Sequence, residues 1–411
     1  MKLLFITIGA VYDFGNSGVY TDLLKKFALE GHEVYVAGAV EKRTGKKTSL
    51  SEEYGIKVLR IKTGNITKTN LLEKGISTLT IGYLYSRAIK KYWGNIKFDF
   101  ILYTTPPITI AGMVGKLKRK YNAFTYLLLK DIFPQNAADI GILTQTGIKG
   151  FIYRYFRMTE KKLYLVSDKI GCMSQANVDF VKKNNPYLPE DIIEICPNTV
   201  DAVTDFNPDK GTMTNKYDLP RNKYLLLYGG NFGKPQNVRY IIEAIDSCRD
   251  ITNVHFVLCG SGTDFGLIND YIEKSKPANV SVIDQLPYNE YSELAAECDI
   301  GLIFLDYRFT IPNFPSRLLD YMNYGLPVIA ATDKNTDVGK TVADGGFGWW
   351  IESRNPQDFH DLIKEIFSEK EIKQKINEMS VNAREYLKNN FETSRAYSIL
   401  MKAYEEHTEN T

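Results

Sequence analysis

Asp-x-Asp occurs nowhere in the 411 residues, so the chain offers no local carboxylate pair of the kind that bridges a divalent cation to a diphosphate. Histidine is scarce. His32, His255, His360 and His407 stand isolated, with no metal-ligand spacing among them. The five cysteines (Cys172, Cys196, Cys248, Cys259 and Cys298) contain no Cys-x-x-Cys and mostly sit beside apolar residues. That pattern predicts buried free thiols of a reduced compartment rather than a disulfide framework. No apolar run reaches the ~18 residues a membrane span needs. The opening MKLLFITIGAVYDFG lacks a leader-cleavage pattern and runs into a glycine loop, so a first strand is expected there and a cytoplasmic location with it.

What is present is ordinary in amount and uneven in placement. Hydrophobic residues at 44% and charged residues at 24% match a soluble globular protein, and the length suits two domains. The net charge of +2 conceals an asymmetry: residues 1–200 hold 29 Lys+Arg against 17 Asp+Glu, the remainder 22 against 32. A basic half joined to an acidic half is expected to face an anionic partner, whether nucleic acid, a phosphorylated substrate or a membrane surface. No nucleic-acid module is recognisable, which argues against the first.

Short buried-strand patterns alternate with helical ones: KLLFITIG, HEVYVAGA, KVLRIKT, FDFILYTT, FTYLLLKDIF, KIGCMS and IIEICPN, then a second series, YLLLYGG, HFVLCGSG, VSVIDQL, IGLIFLD, PVIAAT and FGWWIES. Such alternation predicts α/β architecture with two doubly wound parallel sheets. The Pro-, Gly- and Asn-containing stretch between the series reads as a linker. Expected boundaries are 1–203 for the first domain, 204–222 for the linker, 223–380 for the second domain and 381–411 for a helical tail.

The most informative segment is IPNFPSRLLDYMNYGLPVIAAT, Ile311 to Thr332. It reads as a Pro-punctuated loop, a short helix and a buried strand. The free N–H groups and positive dipole end of such a helix suit an anion. Ser316 and Arg317 at that end suit a diphosphate, and Asp320 one turn on can accept from ribose hydroxyls. The arrangement resembles the nucleotide-sugar site of the large retaining glycosyltransferase family (family 4 type) that includes sucrose and glycogen synthases. Pro-Ser-Arg-x-x-Asp-Tyr looks most like its capsule and O-antigen branch, which transfers N-acetyl sugars. The fold this implies is GT-B, two facing Rossmann-like domains, with the tail crossing back onto the first.

Other motifs carry the same resemblance along the chain. LLLYGGNFGKPQNV supplies Gly230, Asn231, Gly233 and Lys234, where Asn231 replaces the family's usual arginine, so Lys234 and Arg317 would carry the charge at the donor diphosphate. Gly260 follows the next strand, and Leu286 is placed to pack on a uracil face. The first acid of the family's two-acid motif is replaced by Pro312, leaving Asn313, Phe314 and Pro315 to meet the transferred sugar. In the first half, Gly15 and Gly18 allow close backbone approach, and Asn16 or Ser17 is expected to cap the following helix. This loop is not GxGxxG and no acid ends the second strand, so a dehydrogenase is excluded. Gly31 reads as a helix C′ residue and His32 as structural. YLLLKDIFPQ places Lys130 and Asp131 at a strand end, where Asp131 can accept the acceptor's proton or, alternatively, cap the next helix with Lys130 paired to it.

The resemblance thus implies a retaining, metal-independent enzyme without cofactor, using a nucleoside-diphosphate sugar, UDP-linked and carrying an N-acetylhexosamine. A polyprenyl-diphosphate-linked glycan would be the acceptor. Alternatives are a UDP-N-acetylglucosamine 2-epimerase of the same fold, which needs a His/Glu/Asp cluster not found here, or a non-catalytic partner subunit. Peripheral binding to the inner face of an anionic membrane is expected from Lys116, Lys118, Arg119, Lys120, Lys149, Arg154, Arg157, Lys161 and Lys162, with Phe151, Tyr153, Tyr155, Phe156 and Tyr164 inserting at headgroup level. A core helix with a solvated basic face is the other reading.

Overall fold

The computed structural model describes residues 1–9, 14–66, 69, 71–203 and 211–409. Two compact units emerge, Met1–Asp201 with Thr393–Thr411, and Ala202–Glu392.

The first unit contains β1 (Lys2–Ile6), β2 (Glu33–Glu41), β3 (Ser49–Glu53), β4 (Ile56–Thr63), β5 (Phe100–Thr104), β6 (Phe124–Leu129), β7 (Lys169–Cys172) and β8 (Ile193–Ile195). They form one sheet in the order β3-β4-β2-β1-β5-β6-β7-β8, parallel except where β3 pairs with β4. The second unit contains β9 (Tyr224–Asn231), β10 (Val254–Ser261), β11 (Val280–Asp284), β12 (Ile300–Phe304), β13 (Val328–Thr332) and β14 (Gly348–Glu352). Its order is β11-β10-β9-β12-β13-β14, parallel throughout. Both are doubly wound orders that reverse direction beside the first strand, at β1/β5 and at β9/β12. Open α/β sheets bind ligands at such reversals, outside the carboxyl ends of the strands.

Every residue of β5, β6, β12 and β13 is buried, because helices cover both faces. That is why these segments read as continuous apolar runs. The first core joins Leu3, Phe5, Val36, Phe100 and Phe124 to Ala396, Leu400 and Ala403 of the C-terminal helix Thr393–Glu409. The helix Val19–Leu29 ends with Gly31 at φ 83°, as its sequence predicts. His32 Nε2 then lies 3.0 Å from the Tyr397 hydroxyl, a structural contact.

The structure departs from expectation at four places. β2 runs two residues further than its apolar pattern and ends on Glu41, so an acid does close the second strand, although the loop after β1 still lacks GxGxxG. The tail does not return as one piece from residue 381: the helix Ile372–Asn390 belongs to the second unit, burying Ala383 and Leu387 there, and the return begins at Thr393. Within the expected linker, residues 204–210 lie outside the described ones, but Thr212–Lys216 is a helix. Its start is closed by Glu297, whose carboxylate accepts from the N–H groups of Met213 (2.9 Å) and Thr214 (2.8 Å). Finally, β3 is an unanticipated edge strand. Its residues SLSEE are polar, and the two-residue turn Tyr54-Gly55, both at positive φ, folds it back on β4.

Candidate active site

In the second unit the ends of β9 and β10 are pressed together. A Cβ on Gly260 would lie 1.9 Å from the Gly230 carbonyl oxygen, and both residues hold positive φ, 154° and 126°. Glycine is required at both. Beyond β9 the loop is locked by Gln236, whose Oε1 accepts from Asn231 Nδ2 (2.9 Å) and from the Gly233 N–H (3.2 Å). Lys234 opens only the short turn Lys234–Gln236, not a full helix, and its side chain is exposed. The helix Val238–Ser247 starts after Asn237, whose side chain accepts from the Tyr240 N–H.

Arg317 opens the helix Arg317–Tyr324, with its guanidinium 4.4 Å over the Tyr228 ring. Its Nη1 is buried without a partner among the described residues, and its Nη2 lies 3.0 Å from where a Cβ of Gly230 would be. Glycine at 230 is therefore what lets the cation reach the strand end. Asp320, one turn later, is half-buried. Burial pushes its carboxyl up to about 6, against the opposing effect of the Arg317 charge.

The loop between β12 and this helix is anchored rather than loose. The Asp306 N–H donates to the Pro235 carbonyl (2.9 Å), and the fully buried Asp306 carboxylate accepts a forked pair of bonds from Arg308. Asn313 accepts from Thr336 Oγ1 on its backbone carbonyl (2.5 Å), and its Nδ2 is buried without a partner among the described residues. Phe314 packs on Phe391, centroids 5.8 Å apart. Pro315 accepts from the Leu318 N–H (3.2 Å), while Ser316 is exposed and makes no side-chain cap. At the far side Leu286 is half-exposed, next to Gln285, which accepts from Ser261 (2.8 Å).

The sequence reading missed Tyr321. Its buried hydroxyl accepts from the Gly229 N–H (3.0 Å) and lies 3.1 Å from the carbonyls of Leu227 and Leu302, tying β9 to β12 at the reversal. Gly301 makes room for it, since a Cβ there would lie 2.5 Å from the ring.

In the first unit the reversal is lined by buried threonines. Thr104 donates to Thr7 (3.1 Å), and Thr105 Oγ1 accepts from the N–H groups of Lys130 (3.0 Å) and Asp131 (3.2 Å). Successive side chains then diverge. Asp131 accepts from Asn136 Nδ2 (2.5 Å), and burial, against that bond, pushes its carboxyl up to about 6. Lys130 is pushed down to about 8 by burial and interacts with the thiols of Cys196 and Cys172. Among the described residues no ion pair joins Lys130 to Asp131. A second acid overlooked in the sequence, Glu160, is buried near them. It accepts from Tyr164 (2.7 Å) and pairs with Arg157, and burial pushes it up to about 7 while the Asp131 charge adds to the shift.

Gly15 is exposed in a turn, and Gly18 is extended at φ 171°. The expected cap by Asn16 or Ser17 is replaced by the reverse arrangement: Asp22, buried in the helix, accepts from Ser17 Oγ (2.6 Å) and the Gly18 N–H (3.2 Å). The carboxylate thus ties the loop before the helix to its first turn.

The helix Gly147–Val166 divides the residues assigned to a membrane face. Tyr153 donates to Gln135 (2.7 Å), Phe156 packs on Phe133 and Tyr164 is buried, so these three do not project outward. Arg157 is spent on Glu160 and Lys118 on Asp168. Ile148 (84% exposed), Phe151 (70%), Tyr155 (50%) and Met158 (61%) instead form one exposed helical stripe, with Lys149, Arg154 and Lys162 also exposed. Ile76, Leu79 and Tyr83 make a second exposed stripe on the helix Leu71–Trp93. No helix among the described residues is long and apolar enough to cross a membrane. All five cysteines are free, four of them buried.

Comparison with known proteins agrees with this geometry. Residues 209–386 match the protein-family model described as glycosyl transferases group 1. Two curated relatives are each 22% identical. One is WbjE of Pseudomonas aeruginosa, assigned as a glycosyltransferase, over 73% of both chains. The other is WcaI of Escherichia coli, assigned as a glycosyl transferase of colanic acid biosynthesis, over 83% of this chain and 85% of the other. Among solved structures, Anabaena HepE in complex with UDP-glucose superposes with a TM-score of 0.69 at 14% identity, covering 99% of this chain and all of the other. The fold is GT-B, and the stretch that matches the group 1 model lies within the second unit.

Proposed function

We propose that the chain is a retaining, metal-independent glycosyltransferase of the group 1 kind that moves a sugar, an N-acetylhexosamine, from a UDP-linked donor onto a polyprenyl-diphosphate-linked glycan in cell-surface polysaccharide synthesis. The observation that carries the donor site is Arg317: a guanidinium fixed over Tyr228 at the β9/β12 reversal, with a buried Nη1 that no group among the described residues satisfies. A buried donor without a partner costs about 1–3 kcal/mol unless a ligand meets it, and a diphosphate oxygen is a suitable partner. Lys234 supplies the second cation and Asp320 the acceptor for ribose hydroxyls. HepE's binding of UDP-glucose supports the uridine assignment, and WcaI's assignment to colanic acid biosynthesis supports the polysaccharide one. With two cations and backbone N–H groups on the diphosphate, leaving-group charge is balanced without a metal.

A thermal-shift panel of UDP-, GDP- and ADP-sugars in excess EDTA tests this. Selective stabilisation by a UDP-sugar is expected, approaching about 2.7 kcal/mol at a hundredfold excess over Kd. UDP release should follow when a lipid-linked acceptor is added. Stabilisation by GDP- or ADP-sugars only, or a strict requirement for Mg²⁺, overturns the proposal. Binding without turnover would make the chain a non-catalytic partner subunit.

The acceptor's carrier lies in a membrane, and the apolar stripe of Ile148, Phe151, Tyr155 and Met158, edged by Lys149, Arg154 and Lys162, suits docking at an anionic surface. Cosedimentation with phosphatidylglycerol vesicles is expected to be strong at low salt and to fall steeply by about 0.5 M salt. Equal binding to neutral vesicles, or none to either, removes this dock.

A further inference from the structure

We propose that Tyr291 is a further donor-binding residue, its hydroxyl reading the ribose of the nucleoside diphosphate beside Asp320. The inference rests on the nucleotide-sugar reading above and adds to it a residue that neither the motifs nor the two cations call for. Tyr291 lies in the first turn of the helix Tyr288–Glu297 and is half-buried. Its phenol occupies the space a side chain at 229 would fill: a Cβ on Gly229 would lie 2.1 Å from the Tyr291 hydroxyl oxygen and 2.5 Å from its ring. Gly229 also donates its N–H to Tyr321 (3.0 Å), and Gly230 carries Arg317 against it. Three side chains therefore meet at this Gly-Gly step: Tyr321 is held by backbone, and Arg317, over Tyr228, is the cation assigned to the diphosphate. Among the described residues the Tyr291 hydroxyl has no hydrogen-bond partner. It interacts electrostatically with Tyr321, Asp320 and Arg317.

The chemistry of that position favours a vicinal diol. An ionised carboxylate such as Asp320 can only accept, so it takes the O–H groups of a diol and leaves the diol's lone pairs unmet. A phenol beside it supplies the missing donor. Burial raises the Tyr291 hydroxyl well above its ordinary value, so it keeps its proton throughout the neutral range. A phosphate oxygen would also accept from it, but the charge-assisted donors of Arg317 are the stronger partners for phosphate, which leaves the neutral phenol to the hydroxyls beside Asp320.

Isothermal titration of the full chain with UDP, 2′-deoxy-UDP and 3′-deoxy-UDP, on the wild type and Tyr291→Phe, tests the assignment. Phenylalanine keeps the ring that packs on Gly229, and an unchanged melting temperature checks that the fold is retained. UDP is expected to bind Tyr291→Phe about 3- to 10-fold more weakly, the effect of one neutral hydrogen bond, whereas the deoxy analogue lacking the hydroxyl that is read binds both proteins alike. Unaltered UDP affinity in Tyr291→Phe overturns the proposal. So does an equal loss on all three nucleotides, which would put the hydroxyl on phosphate or base. Wild-type protein that binds none of them would defeat the nucleotide reading itself, and this inference with it.

Discussion

Arg317→Ala is expected to lower kcat/KM by roughly 30- to 1,000-fold, about 2–4 kcal/mol of transition-state stabilisation, the range for losing one preorganised donor. The size follows from how the group is held. Its guanidinium lies 4.4 Å over Tyr228 and reaches the strand end only because residue 230 is glycine, so it is aimed before substrate arrives. Lys234→Ala falls in the same range because Asn231 stands where the family places arginine, leaving few other charges to share the load. Arg317→Lys should not rescue: lysine has neither the planar face for Tyr228 nor the forked donors for a diphosphate. Asp320→Asn serves as the contrast, acting mainly through donor affinity. Steady-state kinetics on the single variants and on Arg317→Ala/Lys234→Ala decide the matter, and full activity in the double variant would remove both residues from the site.

The donor half of this site was legible in the sequence because its parts are close together along the chain. Gly230, Asn231, Gly233 and Lys234 fall in one strand-end loop, and Asn313 to Asp320 in one loop and helix turn, so local spacing gave their mutual placement. Parallel sheets were legible for the same reason, since strands buried on both faces announce themselves as apolar runs. What escaped depends on partners far apart. Tyr321 looks like one more helix residue until its hydroxyl is seen to join β9 to β12, contacts 92, 94 and 19 positions away. A glycine inside β12, Gly301, is the only sequence sign of it. Glu160 sits in a run of basic and aromatic residues, where an acid reads as a solvated partner rather than a buried one. Lys130 and Asp131 follow the last residue of β6, and there their side chains part, Asp131 to Asn136 and Lys130 into a buried setting near Cys172 and Cys196. The return of the tail at Thr393 rather than at 381 is likewise a packing decision, since both helices are amphipathic and the sequence does not say which core each stripe joins.

Asp131→Asn is expected to reduce kcat by roughly 10²-fold or more while leaving UDP affinity nearly unchanged, if Asp131 takes the acceptor's proton as the new bond forms. The amide keeps the shape of the carboxylate and can still accept from Asn136 Nδ2, so the substitution isolates the proton-accepting role. The pH dependence supplies a second, independent sign. Burial raises the carboxyl from 3.8 to about 6. A base must be ionised, so the wild-type rate should rise with pH through about 6, level off above it, and lose that limb in Asp131→Asn. Stability runs the other way. Because the folded state holds this proton up to about pH 6 and the unfolded chain releases it near 3.8, the native protein loses stability as pH rises through that window. At pH 7 the uncharged asparagine relieves a buried charge, so its melting temperature should equal or exceed that of the wild type. A structural cap would give the opposite set of results: turnover untouched, or UDP affinity and melting temperature falling together.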